Sequence, residues 1–171
     1  MVQASAAVAY IAAAANRFPF AADISPQSLI AFGSHKSISL WNLHDERIHA
    51  ALPGHEGAIT CLRFVSESCF VSGDDKGVLR CWERSGSQVT LNSLISDPLT
   101  LTCSAHSSQW SVKQKIQAHG QPFSCMTYFD GYLITGSSDS AVKVWTVDPK
   151  DGAGTLIVSF SQPPFAEQIT R

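Results

Sequence analysis

GHEGAITCLRFVSESCFVSGDDKGVLRCW (residues 54–82) and AHGQPFSCMTYFDGYLITGSSDSAVKVW (residues 118–145) can be laid over one another, and their register decides how the chain is read. Counting from His55 and His119, an apolar residue follows at plus four (Ile59, Phe123), a cysteine at plus six (Cys61, Cys125) and an aromatic at plus nine (Phe64, Tyr128). Counting back from Trp82 and Trp145, a glycine stands nine residues earlier in both, Gly73 and Gly136. The segments differ by one residue, where SESC faces DGY, and a hairpin turn absorbs such a difference without disturbing its strands. Self-similarity of this kind marks a small unit that cannot bury its apolar face alone and is repeated so that neighbours cover one another.

A weaker third copy, SLIAFGSHKSISLWN, ends around Trp41, with Gly33 eight residues before the tryptophan. Trp41 to Trp82 is 41 residues, the length of a four-strand repeat, whereas Trp82 to Trp145 is 63 and implies an insertion of about 22. The surplus falls at about 87–109, a Ser- and Thr-rich stretch with the character of a long surface loop. In the second repeat Ala58–Phe64, Cys69–Gly73 and Gly77–Trp82 read as strands, and their β-branched, aromatic and cysteine content suits a sheet covered on both faces. Fourth strands are expected at Arg47–Leu52, Ser111–Ile116 and Thr155–Phe160. Propensity alone favours helix in the Ala-rich start, but its place one repeat upstream predicts an opening strand at about Val8–Ala14.

Composition narrows the function classes. At 44% apolar and only 15% charged residues the 171-residue chain is unlike a disordered segment, and a formal charge of −2 provides no field to collect nucleic acid or anionic lipid. No apolar run reaches the roughly 18 residues of a membrane-spanning helix, so a soluble protein is expected. The Ala-rich start lacks the positive segment of a secretory signal, and the expected compartment is the cytoplasm, with nuclear import left open. Five cysteines, Cys61, Cys69, Cys81, Cys103 and Cys125, without CxxC spacing, read as reduced core residues rather than disulfides or zinc ligands.

The pattern resembles the WD repeat, the unit of all-β propellers in which four-stranded blades surround a channel. The resemblance implies about three blades of an incomplete seven-bladed ring: blade one at about 7–53, blade two at about 54–117 with the insertion at 87–109, and blade three at about 118–161. It also implies a buried tetrad in each repeat, made of the loop His, a strand Ser or Thr, a turn Asp and the Trp. His119, Thr135, Asp139 and Trp145 fit all four places. The second repeat supplies His55, Ser72 and Trp82, but Lys76 stands in the aligned Asp place and Asp75 lies one residue early, which puts that tetrad in doubt. The first has Phe32 in the Ser/Thr place, His35 near the Asp place and no preceding GH, so no tetrad is expected there.

More narrowly, YIAAAANR, IAFGSHKSISLWN, GHEGAITCLRFV and VSGDDKGVLRCW are similar to the opening of the second-subunit family of the Elongator complex. That family carries two WD-repeat propellers and serves as a scaffold for the large first subunit and the catalytic third subunit, in a complex that modifies the wobble uridine of transfer RNA. The resemblance implies a non-catalytic interaction scaffold with those two subunits as partners; the alternative is a generic WD-repeat adaptor of another complex.

Residues that could carry chemistry read more simply as structure. Ser137 or Ser138 with His119 and Asp139 is a nominal nucleophile set, but GSSDS lacks the GxSxG elbow, and a histidine recurring at one repeat position builds a fold rather than a catalytic base. HEGAI has Ile59 where a zincin needs its second histidine, GDDKG lacks the oxygen ligands of a calcium loop, and His44 and His49 have no third ligand nearby in sequence. No catalytic residue, metal or cofactor is therefore expected. Lys113 and Lys115 form the only basic grouping, with Arg47 distant, so direct nucleic-acid binding is not expected either. Three blades leave two faces open, expected to present Ile11, Ile30 and Leu40 at one end and Phe123, Met126, Ile134 and Val144 at the other.

Overall fold

The computed structural model describes residues 15–85, 109–148, 150 and 154–161. The expected opening strand at Val8–Ala14 and all but the last residue of the insertion lie outside them. Among the described residues twelve strands form three four-stranded antiparallel sheets, each from consecutive strands. Sheet 1 comprises β1 (Ala22–Ile24), β2 (Leu29–Ser34), β3 (Ser37–Asn42) and β4 (Arg47–Pro53). Sheet 2 comprises β5 (Ile59–Phe64), β6 (Cys69–Asp74), β7 (Val78–Ser85) and β8 (Gln109–Gln117). Sheet 3 comprises β9 (Phe123–Phe129), β10 (Tyr132–Ser137), β11 (Ala141–Val147) and β12 (Gly154–Ser161). The architecture is all-β, and no helix among the described residues is long and apolar enough to cross a membrane.

Short β-branched and aromatic runs separated by tight turns leave no room for anything but meanders. Left-handed residues make several of those turns: His35 between β2 and β3, Gly77 before β7, and Asp130–Gly131 between β9 and β10. The three sheets also share a register shift at the tryptophan, between Leu40 and Trp41, Cys81 and Trp82, and Val144 and Trp145. A bulge at one repeat position strengthens the local twist in the same way in each sheet.

The core lies between sheets rather than within one. Ala31, Ile38 and Leu40 of sheet 1 pack against Phe64, Phe70 and Trp82 of sheet 2. Cys61, Val71, Leu79 and Cys81 on the other face of sheet 2 pack against Met126, Leu133 and Trp145 of sheet 3. Sheet 2 is thus covered on both faces, and every residue of β6 is buried. The junctions are keyed by glycines: a Cβ on Gly33 would meet Ile59 at 2.9 Å, and one on Gly73 would meet the Phe123 ring at 2.6 Å. The first strand of each following sheet therefore lies nearly on the backbone of the sheet before it.

Candidate functional site: two buried histidine networks

In sheet 3 the structure brings together the four residues expected there. His119 Nδ1 lies 3.1 Å from Asp139 Oδ2, its Nε2 lies 2.9 Å from Thr135 Oγ1, and the Trp145 indole N–H donates to the same hydroxyl at 3.0 Å. The donor order that satisfies every atom runs from the indole to the hydroxyl, from the hydroxyl to Nε2, and from Nδ1–H to the carboxylate. Asp139 also accepts the Gly120 and Ala141 amides, tying the loop before β9 to the turn before β11.

Sheet 2 builds the same network, which corrects the doubt raised by Lys76. Neither Lys76 nor Asp75 supplies the carboxylate; Asp74, two residues ahead of the aligned place, does so, 2.9 Å from His55 Nδ1. Ser72 Oγ stands 2.7 Å from His55 Nε2 and receives the Trp82 indole N–H at 2.8 Å. Asp74 reaches the site from the end of β6 because its other oxygen accepts the Lys76 and Val78 amides, turning the chain beneath it. Asp75 accepts the Ala58 amide, and the Lys76 side chain is exposed. Asp74 is not among the tetrad residues expected from the sequence; its signal is its place directly after the strand glycine Gly73, which counting back from the tryptophan passes over.

In sheet 1 the place of the hydroxyl is settled by register. Phe32 opposes Ser39, two residues before Trp41, as Ser72 opposes Arg80 and Thr135 opposes Lys143. His35 is exposed at a left-handed turn, its amide donating to Asn16 Oδ1. Asn16, which no sequence signal singled out, also donates from Nδ2 to the His35 and Ile59 carbonyls and so clamps sheet 1 to sheet 2.

Electrostatics follow from burial and partners. Burial alone would raise the Asp74 carboxyl, but the His55 hydrogen bond and the Val78 and Lys76 amides outweigh it and hold it below the ordinary carboxylate value. Asp139 is likewise held low, its burial outweighed by the Ala141 and Gly120 amides and by His119. Burial lowers His119 despite Asp139, with Lys143 adding to the effect. Burial pushes the Cys61 thiol up to about 11, that of an inert core cysteine.

Ser72, His55 and Asp74 have the connectivity of a hydrolytic triad, yet the Ser72 hydroxyl is fully buried and already accepts the Trp82 indole. An activated nucleophile needs room for a carbonyl carbon and an oxyanion hole beside it. Both networks therefore hold the fold, fastening the loop before each sheet to the turn at its centre. Among the described residues no three His, Cys, Asp or Glu side chains come together to hold a metal ion. His44 and His49 line a rim cleft that also takes in Glu67 and Arg84. Lys113 pairs with Glu83 at 2.8 Å and Lys115 with Glu56 at 3.1 Å, so the basic grouping is largely neutralised in place.

The WD domain, G-beta repeat family matches residues 46–83 and 98–146, over half of the chain. The chain belongs to the WD40 repeat family. Its three sheets are WD40 blades, and its fold is similar to that of Saccharomyces cerevisiae Sqt1, with a TM-score of 0.63 at 16% identity over 84% of this chain and 35% of that one. Elongator complex protein 2 of S. cerevisiae is 26% identical over 123 residues, 70% of this chain and 13% of that protein. Telomerase Cajal body protein 1 of Bos taurus is 31% identical over 145 residues, 83% of this chain and 23% of that protein. The WD40 chain thus spans under a quarter of the length of either relative.

Proposed function

We propose that the chain is a non-catalytic interaction scaffold of the Elongator type, contributing blades of a propeller that binds the large first and catalytic third subunits. One observation carries the scaffold reading: the two buried histidines, each with a hydroxyl and a carboxylate partner, are locked in networks that fasten sheets 2 and 3. Contact then falls to the rim turns and the cleft beside Arg84, which rigid sheets hold in place. The likeness to Elongator complex protein 2 supports the choice of complex. The second reading, an adaptor of another assembly, is favoured by the 31% identity to Telomerase Cajal body protein 1.

Affinity capture of the tagged chain after nuclease treatment separates the two. Recovery of both Elongator subunits supports the first reading, and recovery of neither moves the assignment to the second. Recovery that disappears with nuclease would mean that RNA, rather than the blades, makes the bridge.

A further inference from the structure

The cleft beside Arg84 has a volume of about 390 Å³ and lies between two sheets. The β1–β2 and β3–β4 turns of sheet 1 wall it on one side, and the β5–β6 turn and the end of β7 in sheet 2 on the other. Alternation along β7 puts Arg84 on the same face as Trp82, and register sets Trp110 of β8 opposite Arg84 on that face, the one that sheet 1 covers.

Hydrogen bonding in the lining leaves a one-sided remainder. The Ser25 hydroxyl already accepts the Leu29 amide at 3.1 Å, Asn42 Oδ1 accepts the His44 amide at 2.8 Å, and the Glu67 carboxylate accepts the Gln27 side-chain amide. The Arg84 guanidinium, by contrast, has no acceptor among the described residues. Its cross-strand neighbour Trp110, 7% exposed, likewise carries an indole N–H without one. Two unmatched donors thus stand on adjacent strands, and a ligand that completes the site must bring an acceptor.

We propose that the cleft takes the carboxylate of an acidic side chain on an extended segment of a protein partner, held bidentately by Arg84. This rests on the scaffold reading and adds the chemistry of the contact. A guanidinium presents its donors in a fixed fork that matches the two oxygens of a carboxylate. One carboxylate balances Arg84, whereas a phosphate would bring a second charge toward Glu67, the acid in the lining. The volume falls at the small end of the roughly 300–1,000 Å³ of ligand clefts, which suits a side chain and its flanking backbone rather than a folded surface.

NMR titration of the full 171-residue chain with acetyl-Ala-Glu-Ala-amide, and with the glutamine and phosphoserine counterparts, tests the proposal. The glutamate peptide should shift the Arg84 Nε–H signal and bind at least about ten-fold more tightly than the glutamine peptide. Arg84→Gln should lose that preference, and Glu67→Gln, which removes the opposing charge, should tighten glutamate binding. The Arg84 side chain is half-buried and bonds to nothing among the described residues, so far-UV circular dichroism should show Arg84→Gln folded as the parent. No shift at Arg84, equal binding of the glutamate and glutamine peptides, a preference retained in Arg84→Gln, weaker binding in Glu67→Gln, or tighter binding of the phosphoserine peptide would each overturn it. The two readings fail separately, because nuclease-treated capture decides the scaffold and the titration needs no partner protein.

Discussion

His55 and His119 stand at one place in the repeat but receive their carboxylates from different places, Asp74 at the end of a strand and Asp139 in a turn. What the fold requires is an acceptor at Nδ1, not a residue at a fixed count from the tryptophan. The Ser, Thr and Trp members were legible because strand register fixes them, and the His members because each stands four residues before the first strand residue of its sheet; the second carboxylate was not, because an oxygen can come from the strand end as at Asp74 or from the turn as at Asp139. His119→Ala strands the Thr135 hydroxyl and Asp139, and should cost about 1 to 3 kcal/mol in denaturant melts at fixed protein concentration. His35→Asn, which keeps a residue tolerant of the left-handed turn, should stay within about 0.5 kcal/mol. Asp74→Asn should destabilise like His119→Ala, and Lys76→Ala should not. The pH dependence has a definite sign: His119 titrates lower folded than its unfolded value of 6.5, so its contribution is complete above that value and fades as pH falls through the window below it. Asp74 and Asp139 add a second loss below their unfolded value of 3.8, again because the folded carboxyls titrate lower. Melts at pH 7.5 and 5.5 should therefore show a drop that is smaller in His119→Ala.

At the scale of the element, the strands with several residues of apolar pattern lie where periodicity places them: β4, β5, β6, β8 and β12 each fall within two residues of their expected bounds, and β7 runs three residues past its expected end. The short β1, ADI, escaped because three residues carry no period; it is held instead by pairing with β2 and by Asp23, which accepts the Phe64 amide. The recurring strand glycine was visible in the sequence, but its reason was not. It is the floor on which the next sheet's first strand rests. Gly73→Ala drives a methyl into the Phe123 ring and should cost about 1 to 3 kcal/mol, as overpacking does. Among the described residues Gly136→Ala meets the Cys125 thiol at 2.7 Å and the Ser124 hydroxyl at an ordinary 3.5 Å, and an exposed thiol can turn aside. It should stay within about 0.5 kcal/mol in the same melts.

At the scale of the whole molecule, the residues expected on the outer faces of sheets 1 and 3 were partly misassigned. Leu40, Phe123 and Met126 are buried between sheets, and Val142, Tyr132 and Phe160 are exposed in their stead, because strand alternation alone does not tell which face a neighbour takes. Cys125 departs from the core role read for the cysteines for the same reason. The repeat position shared by Cys61 and Cys125 is buried only where another sheet lies on it. Pulse labelling of the native chain with a thiol reagent, mapped by mass spectrometry, tests this directly. Cys125 should label and Cys61 should not. Equal labelling of the two thiols would contradict it.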